Sequence, residues 1–496
     1  MPSKILEIPL IGPTNKQKHL DLNAQDTNNM YLEVEIVDYE STAKASLQSM
    51  PGTASMETLA TSPVREILSS EDQTALYSVS GSTFYKGTVN TTAKTISSTS
   101  KGTLTTLSGD VSMVEGATRI AIVDGTAGYM YNPTADTFAT ITDVDFYDDS
   151  PIVKYLDGYF FFINAGTGQI QASELDDPSD IAALDFTTAT GAADNNVTLE
   201  VFGRELWCLG QKTVEIYINT ANASGFPFSR LEGAHINRGC GAARSTAVTE
   251  EHIIWLDDRG YVVVCDRVGY SPIIVSTSNI SRQIQNFTTI SDAKAFVFSR
   301  NGRKFYQITF PTEEKTFILD LTSPQNPLWY RRESVVADAG IGTDITRHIA
   351  SSHAQFKHLD IVGAYNSGKL LHFSNDYFQD DGQRLERVRD SQTFQLKPYL
   401  VSINRLTLQC STGIGTLNGT DSTNKPRLIM QYSNDGGRSW SQELWADFGG
   451  AVGEYVKFAE WWGLGAAYQW VFRFKYVDNT DFAIIGQGRA EIDLSM

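Results

Sequence analysis

The strongest constraint on the fold of this 496-residue chain is a repeated pattern of two strand-like runs joined by a polar turn that contains glycine. The pattern occurs in Ala75–Tyr85, Arg119–Tyr131, Tyr155–Ile170, Glu205–Tyr217, Ile253–Cys265, Phe296–Ile308 and Ile361–Phe373. A turn such as Asp124-Gly125 adopts positive φ at little cost, which tight β-hairpins require. Helical periodicity is confined to short stretches such as Ser278–Asn286, where Ile280 and Ile284 share one face. The sequence therefore predicts an all-β protein.

The spacing of the hairpins predicts how the strands are arranged. Their turns lie roughly 41 to 64 residues apart, close to the period of about 40 to 50 residues for one four-stranded blade of a β-propeller. We therefore expect a β-propeller of six or seven blades over residues 56–375. A set of stacked β-sandwiches is the alternative that the same pattern leaves open.

The two flanking segments differ from this pattern. Residues 1–55 contain Pro2, Pro9 and Pro13, and we expect an extended N-terminal arm with the first strands. Residues 376–496 carry longer strand-like runs and five of the eight tryptophans, and we expect a β-sandwich-like domain there. Glu7 and the prolines interrupt any apolar leader, so we do not expect Sec export. The longest uninterrupted apolar runs of the chain are a few residues, so we expect no transmembrane helix.

The charge and the cysteines exclude several classes of protein. Asp and Glu number 58 against 40 Lys and Arg, a formal charge of −18. Such a chain repels a polyanion on average, which excludes a protein that grips DNA over its whole surface. Cys208, Cys240, Cys265 and Cys410 contain no CxxC pair, and we expect buried free thiols.

The sharpest local motif is SNDGGRSW, residues 433–440, which fits the Asp-box pattern S-x-D-x-G-x-[ST]-W of sialidases and other β-propellers. Its chemistry is that of a turn, because the aspartate accepts backbone N–H groups and glycine permits positive φ. The motif occurs once, and we expect it to stabilise the fold without catalysing a reaction. The structural residues are Ser433, Asp435, Gly437 and Trp440, with Trp440 expected to anchor the next strand in the core.

Other candidate residues do not form a recognisable catalytic or metal-binding pattern. Two acidic clusters lack the order of an EF-hand: Asp143, Asp145, Asp148 and Asp149, then Glu174, Asp176, Asp177 and Asp180. Four histidines between residues 348 and 372 are expected at the surface or an interface, namely His348, His353, His358 and His372. The chain also has no Walker loop, nucleophile elbow or Rossmann fingerprint. We therefore expect no enzyme activity, catalytic residue, metal or cofactor.

From about residue 200 the sequence resembles a known family, the packaged-DNA stabilisation proteins or tail hubs (nozzles) of short-tailed bacteriophages. The resemblance rests on blocks in a fixed order: VFGRELW at 201–207, TVEIY at 213–217, FPF at 226–228, GCGA at 239–242, ISDA at 290–293, FYQITFP at 305–311, WYRRES at 329–334, GEY at 453–455, WGLG at 462–465 and WVFRF at 470–474. It implies a non-enzymatic ring, hexameric by analogy, assembled in the bacterial cytoplasm and located in the virion tail. The implied partners are the portal-adaptor protein, tail fibre, tailspike or tail-tip proteins, and double-stranded DNA that passes through the lumen without specific binding.

The resemblance gives the acidic charge a function. Six copies at −18 each would carry −108, and an acidic wall would keep a duplex centred, with repulsion screened over about 8 Å at physiological salt. A carbohydrate-binding or glycan-degrading β-propeller is the alternative, supported by the Asp-box alone. A propeller scaffold outside any phage is a third reading.

A tail hub would depend on interface residues more than on catalytic ones. Apolar residues of the arm are expected to dock on a neighbour or on the adaptor, namely Ile5, Leu6, Ile8, Leu10 and Tyr31. Trp461 and Trp462 are adjacent and cannot both face one core from a strand, so one of them should be exposed or at an interface.

Overall fold

Nearly all regular structure in the chain is β. The computed structural model describes residues 4–36, 43–189, 194–222, 225–322, 324–337, 343–417 and 421–495. Within these ranges the helices are Ser278–Gln285 and a single turn, Asp421–Asn424. Thr277 caps the first helix, which buries Ile280 and Ile284. The all-β prediction and the position of its helix are confirmed.

Six consecutive antiparallel sheets of four strands form most of a β-propeller. Blades 1 to 3 contain Val64–Ser69, Leu76–Ser80, Thr83–Asn90 and Thr95–Thr103; Ser112–Glu115, Ile120–Val123, Gly128–Asn132 and Thr137–Thr140; and Val153–Leu156, Tyr159–Ile163, Gln169–Ala172 and Phe186–Thr188. Blades 4 to 6 contain Asn196–Phe202, Glu205–Gly210, Val214–Asn219 and Phe228–Arg230; Ala247–Val248, Ile253–Leu256, Val262–Cys265 and Ile273–Ile274; and Lys294–Arg300, Arg303–Phe310, Lys315–Asp320 and Leu328–Arg331. The first strand of each blade lies beside the first strand of the next.

Blade 7 closes the ring with a strand from the other end of the chain. Its inner strands are Ala350–Phe356, Leu359–Ala364 and Lys369–Ser374, and its outer strand is Gly52–Thr58. The first strand of this blade contacts the first strand of blade 1. The propeller therefore has seven blades, one of the two numbers that the sequence allows. Two further hairpins adjoin blades 6 and 7, Glu333–Ala337 with Thr343–Arg347 and Gln379–Asp380 with Gln383–Arg384.

The C-terminal part is a β-sandwich, as expected from the sequence. One sheet contains Lys4–Ile8, Gly488–Ser495, Leu400–Leu408 and Ala459–Ala467. The other contains Arg387–Asp390, Gln469–Tyr476, Arg427–Ser433 and Leu444–Asp447, with Phe394–Gln395 at one side. A small third sheet contains Met30–Ile36, Ala43–Ser49 and Ala483–Ile485. Side chains such as Trp470, Phe472 and Leu406 fill the core between the two main sheets.

The N-terminal segment joins the two domains. Its strand Asp26–Asn28 pairs with Leu328–Arg331 of blade 6 on one side and with Arg387–Asp390 of the sandwich on the other. One continuous sheet therefore runs from blade 6 into the sandwich. Fully buried arginines hold the junction, including Arg332, which donates to Pro51 O at 2.7 Å and to Asp380 Oδ1 at 3.0 Å.

Candidate assembly surface

The outer face of the first sandwich sheet carries a row of exposed side chains. Ile5, Glu491, Arg405 and Trp462 are direct neighbours across its four strands. Ile5 is 64% exposed and Trp462 is 63% exposed. The Arg405 guanidinium pairs with Glu491 and lies 5.0 Å from the centre of the Trp462 ring. The row therefore has an apolar group at each end and an ion pair between them.

A second row of the same face runs alongside the first. Glu7, Arg489, Thr407 and Glu460 are neighbours across the same strands. Apart from Trp462, the residues of the two rows line a groove of about 540 Å³, which also includes Phe458 and Ile485. Phe458 is 48% exposed. We call this surface, defined by the two rows with Phe458 and Ile485, the sandwich face.

The structure separates the residues that the sequence predicted as interface residues. Ile5 and Trp462 come together on the sandwich face. Ile8 and Leu10 lie fully buried in the sandwich core, and Tyr31 is buried against Phe305 of blade 6. The prediction that Ile8, Leu10 and Tyr31 dock on another subunit is therefore corrected, because the arm packs within its own chain.

Leu6 and Trp461 point to the inner side of the same sheet. Leu6 is half-buried and packs against the sandwich core. Trp461 is 4% exposed and donates its Nε1–H to the carbonyl of Leu444 at 3.0 Å. Of the two adjacent tryptophans, Trp462 is therefore the one available to a partner.

Sequence reasoning missed most of the sandwich face. Arg405, Glu491, Phe458 and Ile485 come from strands and loops that are far apart in the chain, and none belongs to a motif. The Trp461-Trp462 pair is the signal that could have located the surface, because strand alternation forces one of the two rings outward.

The Asp-box forms a compact turn. Asp435 Oδ1 accepts the amides of Arg438 and Ser439, each at 2.9 Å, and its Oδ2 accepts the Ser439 hydroxyl at 2.6 Å. The Ser433 hydroxyl donates to Asp435 and accepts the Gly437 amide at 2.8 Å. The bonds from Ser439, followed by the bond from Ser433, hold the pKa of Asp435 well below its ordinary value.

The turn also fastens the arm to the sandwich. Arg438 pairs with Asp21 of the arm at 3.1 Å. Trp440 is half-buried and lies under the guanidinium of Arg473, 4.0 Å from its ring centre. Its expected position in the core is thus corrected, since the ring covers the Arg473–Asp390 ion pair at 2.7 Å. All of these contacts connect one part of the fold to another.

The axis of the propeller is closed by charged side chains. A cavity of about 130 Å³ lies where the first strands of the blades meet. Its walls contain three ion pairs, Lys154–Glu200 at 2.7 Å, Arg244–Glu66 at 3.5 Å and Lys294–Asp110 at 2.5 Å. At about 30 Å³ per water molecule, the cavity has room for a few waters. A DNA duplex cannot pass through it.

The acidic clusters take part in local contacts. Asp177 pairs with Arg119, and Asp176 accepts the Tyr155 hydroxyl. Asp143 accepts the amide of Asp145 at 2.9 Å. Among the residues with assigned positions, no group of three His, Cys, Asp or Glu side chains is suited to a metal ion.

Two of the predicted surface histidines are buried, which corrects that expectation. His348 is inaccessible to solvent and accepts a hydrogen bond from Arg332, since a guanidinium can only donate. Burial and the nearby Arg332 charge lower the pKa of His348 well below its ordinary value. Burial lowers the pKa of His372 to about 4. His353, on the same blade, lies 2.8 Å from Asp360.

The four cysteines are buried free thiols, as predicted. Burial raises the pKa of Cys240 and of Cys265 to about 12, and it also raises the pKa of Cys208 and Cys410 well above the ordinary value. The thiols are therefore protonated at neutral pH and shielded from reagents.

The negative charge of the chain is confined to one part. Residues 386–496 contain 11 Lys and Arg against 12 Asp and Glu, a net charge of −1. Residues 1–385 contain 29 against 46, a net charge of −17. Because strands of residues 1–55 belong to the sandwich, the acidity lies mainly in the propeller: residues 56–385 carry 25 Lys and Arg against 39 Asp and Glu, a net charge of −14, while residues 1–55 and 386–496 together carry −4.

Solved structures that match this chain do so at low sequence identity. PorZ, a component of the type-IX secretion system of Porphyromonas gingivalis, is 12% identical with a TM-score of 0.37, and the match covers 66% of this chain and 38% of PorZ. The N-terminal domain of Nup159 is 12% identical with a TM-score of 0.41, covering 74% of this chain and 99% of that domain. A chain of the S. cerevisiae complex of Dbp5 with Nup159 and Gle1 is 10% identical with a TM-score of 0.39, covering 74% and 98%.

Family models identify both domains. No curated protein sequence matches the chain. Separately, no helix of its described ranges is long and apolar enough to cross a membrane. The model described as "Bacteriophage P22 Gp10, beta-propeller" matches residues 6–348, and "Bacteriophage P22 Gp10, beta-sandwich" matches residues 386–493. These matches agree with the observed propeller and sandwich and with the resemblance found in the sequence. The chain therefore belongs to the bacteriophage P22 Gp10 family and is a structural protein of the phage tail.

Proposed function

We propose that this protein forms the hub, or nozzle, ring of a short phage tail. The ring extends the DNA channel below the portal-adaptor protein, retains the packaged genome and lets it pass at ejection. Family membership over both domains is the observation that carries this proposal. The protein has no catalytic role in it, and tail fibres, tailspikes or tip proteins attach to the ring after its assembly in the host cytoplasm.

The closed axis of the propeller supports a channel formed between subunits. Three ion pairs and a cavity of about 130 Å³ block the propeller axis. DNA that passes the protein must therefore run along an outer surface of the chain. Several copies around one axis, six by analogy with the family, would enclose such a conduit, and closed rings are the usual outcome of head-to-tail contacts.

The sandwich face is the surface that we assign to contacts between neighbouring copies. Identical propellers carry −14 on residues 56–385 and repel each other, whereas the sandwich with the arm carries −4 on residues 1–55 and 386–496. Ile5 and Trp462 offer apolar anchors, and the charges of Arg405 and Glu491 already neutralise each other between them. Buried aromatic and arginine side chains are the common energetic centres of protein interfaces.

The negative charge of the propeller is suited to the wall of a channel through which DNA moves. A surface that neutralised phosphates would release counterions and hold the duplex. A net charge of −17 on residues 1–385 prevents such binding, and the repulsion reaches about one Debye length, roughly 8 Å at physiological salt. We assign the lumen to the propeller side of the subunit for this reason.

Electron microscopy of the purified protein, alone and with its adaptor, tests the function. We expect rings with a central opening, formed directly or on addition of the adaptor, and no hydrolysis of sialosides or capsular polysaccharide. A protein that stays monomeric under both conditions would refute the hub. Hydrolysis of a glycan would favour the carbohydrate-active alternative.

The contact surface is tested by Trp462→Asp and Ile5→Asp, since both side chains are more than half exposed and neither fills the core. We expect rings to be lost while the melting temperature stays unchanged. Leu184→Asp is the matched control, because Leu184 is 75% exposed but lies on blade 3. Leu6 is unsuitable for this test because it packs on the core. Rings that survive Trp462→Asp would exclude the sandwich face and leave the hub function standing.

A further inference from the structure

A second pocket adjoins the closed axis of the propeller, between blades 6, 7 and 1. It has a volume of about 220 Å³ and shares Arg65, Asp110, Lys294 and Ser351 with the axial cavity. Apolar side chains also line it, namely Pro63, Leu107, Pro311 and Tyr365. Leu107 is 67% exposed, although a leucine is usually buried. We call it the axial-mouth pocket.

Arg65 brings a buried positive charge to this pocket, which the charges of Asp124 and Asp110 offset in part. Its guanidinium is buried and donates to the carbonyls of Gly81, Thr106 and Gly109 at 2.9 to 3.0 Å. Carbonyl oxygens satisfy its donors but do not cancel its charge. These bonds also fix the connection from blade 1 to blade 2, which forms one wall.

Arg347 is the second cationic group of the pocket, and its guanidinium is positioned to bind a ligand. Its guanidinium lies flat near Tyr365, 3.9 Å from the ring centre, and its side chain is 15% exposed. The carboxylate paired with it, Glu314, is 3.7 Å away, beyond hydrogen-bond distance. Its donors are therefore available for a closer, charge-assisted bond.

The balance of charge in the axial-mouth pocket is opposite to that of the whole protein. Three of the side chains that line it are cationic, Arg65, Lys294 and Arg347, and one is a carboxylate, Asp110, which Lys294 engages at 2.5 Å. Asp124 and Glu314 act on Arg65 and Arg347 from outside the lining. The chain as a whole carries −18. A positive depression with an apolar rim in an acidic protein is complementary to a ligand that is both anionic and apolar.

We infer that the axial-mouth pocket binds a short acidic peptide segment of another tail protein. One carboxylate of that segment pairs with Arg347, and an adjacent apolar side chain covers Leu107 and Tyr365. This site is separate from the sandwich face, and it does not depend on whether copies of the chain form a ring.

The surroundings of the pocket favour a peptide over DNA. Because each blade has four antiparallel strands, the connection from blade 2 to blade 3 emerges at the same end of the propeller as the connection that forms the pocket wall. That neighbouring connection carries Asp143, Asp145, Asp148 and Asp149. A duplex lying over the pocket would bring its phosphates against these carboxylates, whereas a single segment can enter between them.

Isothermal titration calorimetry of the full chain at low salt tests the inference with four probes. They are the peptide Ac-Leu-Glu-Glu-Leu-NH₂, its glutamine counterpart Ac-Leu-Gln-Gln-Leu-NH₂, inorganic phosphate and a short DNA duplex. We expect the glutamate peptide to bind about tenfold more tightly than the glutamine peptide, since charge-assisted hydrogen bonds are roughly twice as strong as neutral ones.

Variants locate the binding. Arg347→Gln should weaken the glutamate peptide about tenfold, the change expected on loss of one charged pair. Arg204→Gln is the matched control, because Arg204 is a paired arginine whose side chain is 85% exposed and lies outside the pocket; we expect no change. If Arg347→Gln lowers the melting temperature, Lys294→Gln provides a second variant from another blade.

Several outcomes would overturn the inference. Equal binding of the two peptides, or no binding of the glutamate peptide, would remove the acidic recognition. Phosphate that binds as tightly as the peptide would make this a site for small anions, and duplex binding that depends on Arg347 would make it a contact for DNA.

Discussion

Arg389 is the residue whose replacement best tests how the arm holds the two domains together. It lies fully buried in the strand Arg387–Asp390 of the sandwich. Its guanidinium donates to the carbonyls of Leu10, Pro13 and Asp26 and to the hydroxyl of Thr27. All four acceptors belong to the arm, so a single side chain clamps this segment against the sandwich.

Arg389→Met keeps most of the side-chain volume and removes every one of these bonds. Each hydrogen bond from a charged donor stabilises by about 1.5 to 3 kcal/mol, and relief of the buried charge offsets part of the loss. Because each buried acceptor left without a donor costs about 1 to 3 kcal/mol, we expect a net loss of about 3 to 5 kcal/mol. For a cooperative unit of about 150 to 250 residues this lowers the melting temperature by roughly 6 to 20 °C.

Scanning calorimetry measures the stability, and limited proteolysis reports on the arm. We expect a lower melting temperature together with new cleavage between residues 10 and 27. Arg204→Met is the control, because the Arg204 side chain is 85% exposed and such surface changes usually stay within about 0.5 kcal/mol. A loss below about 1 kcal/mol with an intact arm would refute the clamp, since it would be less than the contribution of a single such bond.

Three further predictions concern local stability. Asp435→Asn should lower the urea midpoint of the sandwich at pH 7. Because the folded pKa of Asp435 is strongly depressed, the difference between the two proteins should begin to shrink below the unfolded pKa of about 4 and vanish only as pH falls through the folded pKa; a difference that stays constant below pH 4 would contradict this. Gly368→Ala places a Cβ about 2.0 Å from the carbonyl oxygen of Ala60. We expect overpacking at the closure of blade 7 to lower the free energy of unfolding by about 1 to 3 kcal/mol. An unchanged melting curve would show that this closure is not tightly packed. The four cysteines should resist a thiol reagent at pH 8 in the folded protein and react once the protein is unfolded. The reason is burial, which raises the pKa of Cys240 and Cys265 to about 12. Rapid reaction of the native protein would contradict their burial.

The candidate surface shows the limit of sequence reasoning on this protein. Alternation along a strand was enough to state that Trp461 and Trp462 face opposite ways. It could not place Ile5 in the same row, because that row depends on pairing between strands almost 500 residues apart in the chain. The same missing information led to the mistaken assignment of Ile8, Leu10 and Tyr31 to a neighbour.

The local features of the fold followed from the sequence by itself. Glycine turns with positive φ at Gly81, Gly125 and Gly302, and the short helix that buries Ile280 and Ile284, depend on residues within a few positions of one another. Their physical causes, backbone strain and short-range periodicity, can be read along the chain.

Only the tertiary structure decided how the ends of the chain are used. It brought Gly52–Thr58 to blade 7, which fixed the number of blades, and Asp26–Asn28 between the propeller and the sandwich. It also buried His348 beside Arg332. The physical reason is that a β-strand meets its backbone hydrogen bonds with any partner of suitable register, however distant, and its own sequence does not name that partner.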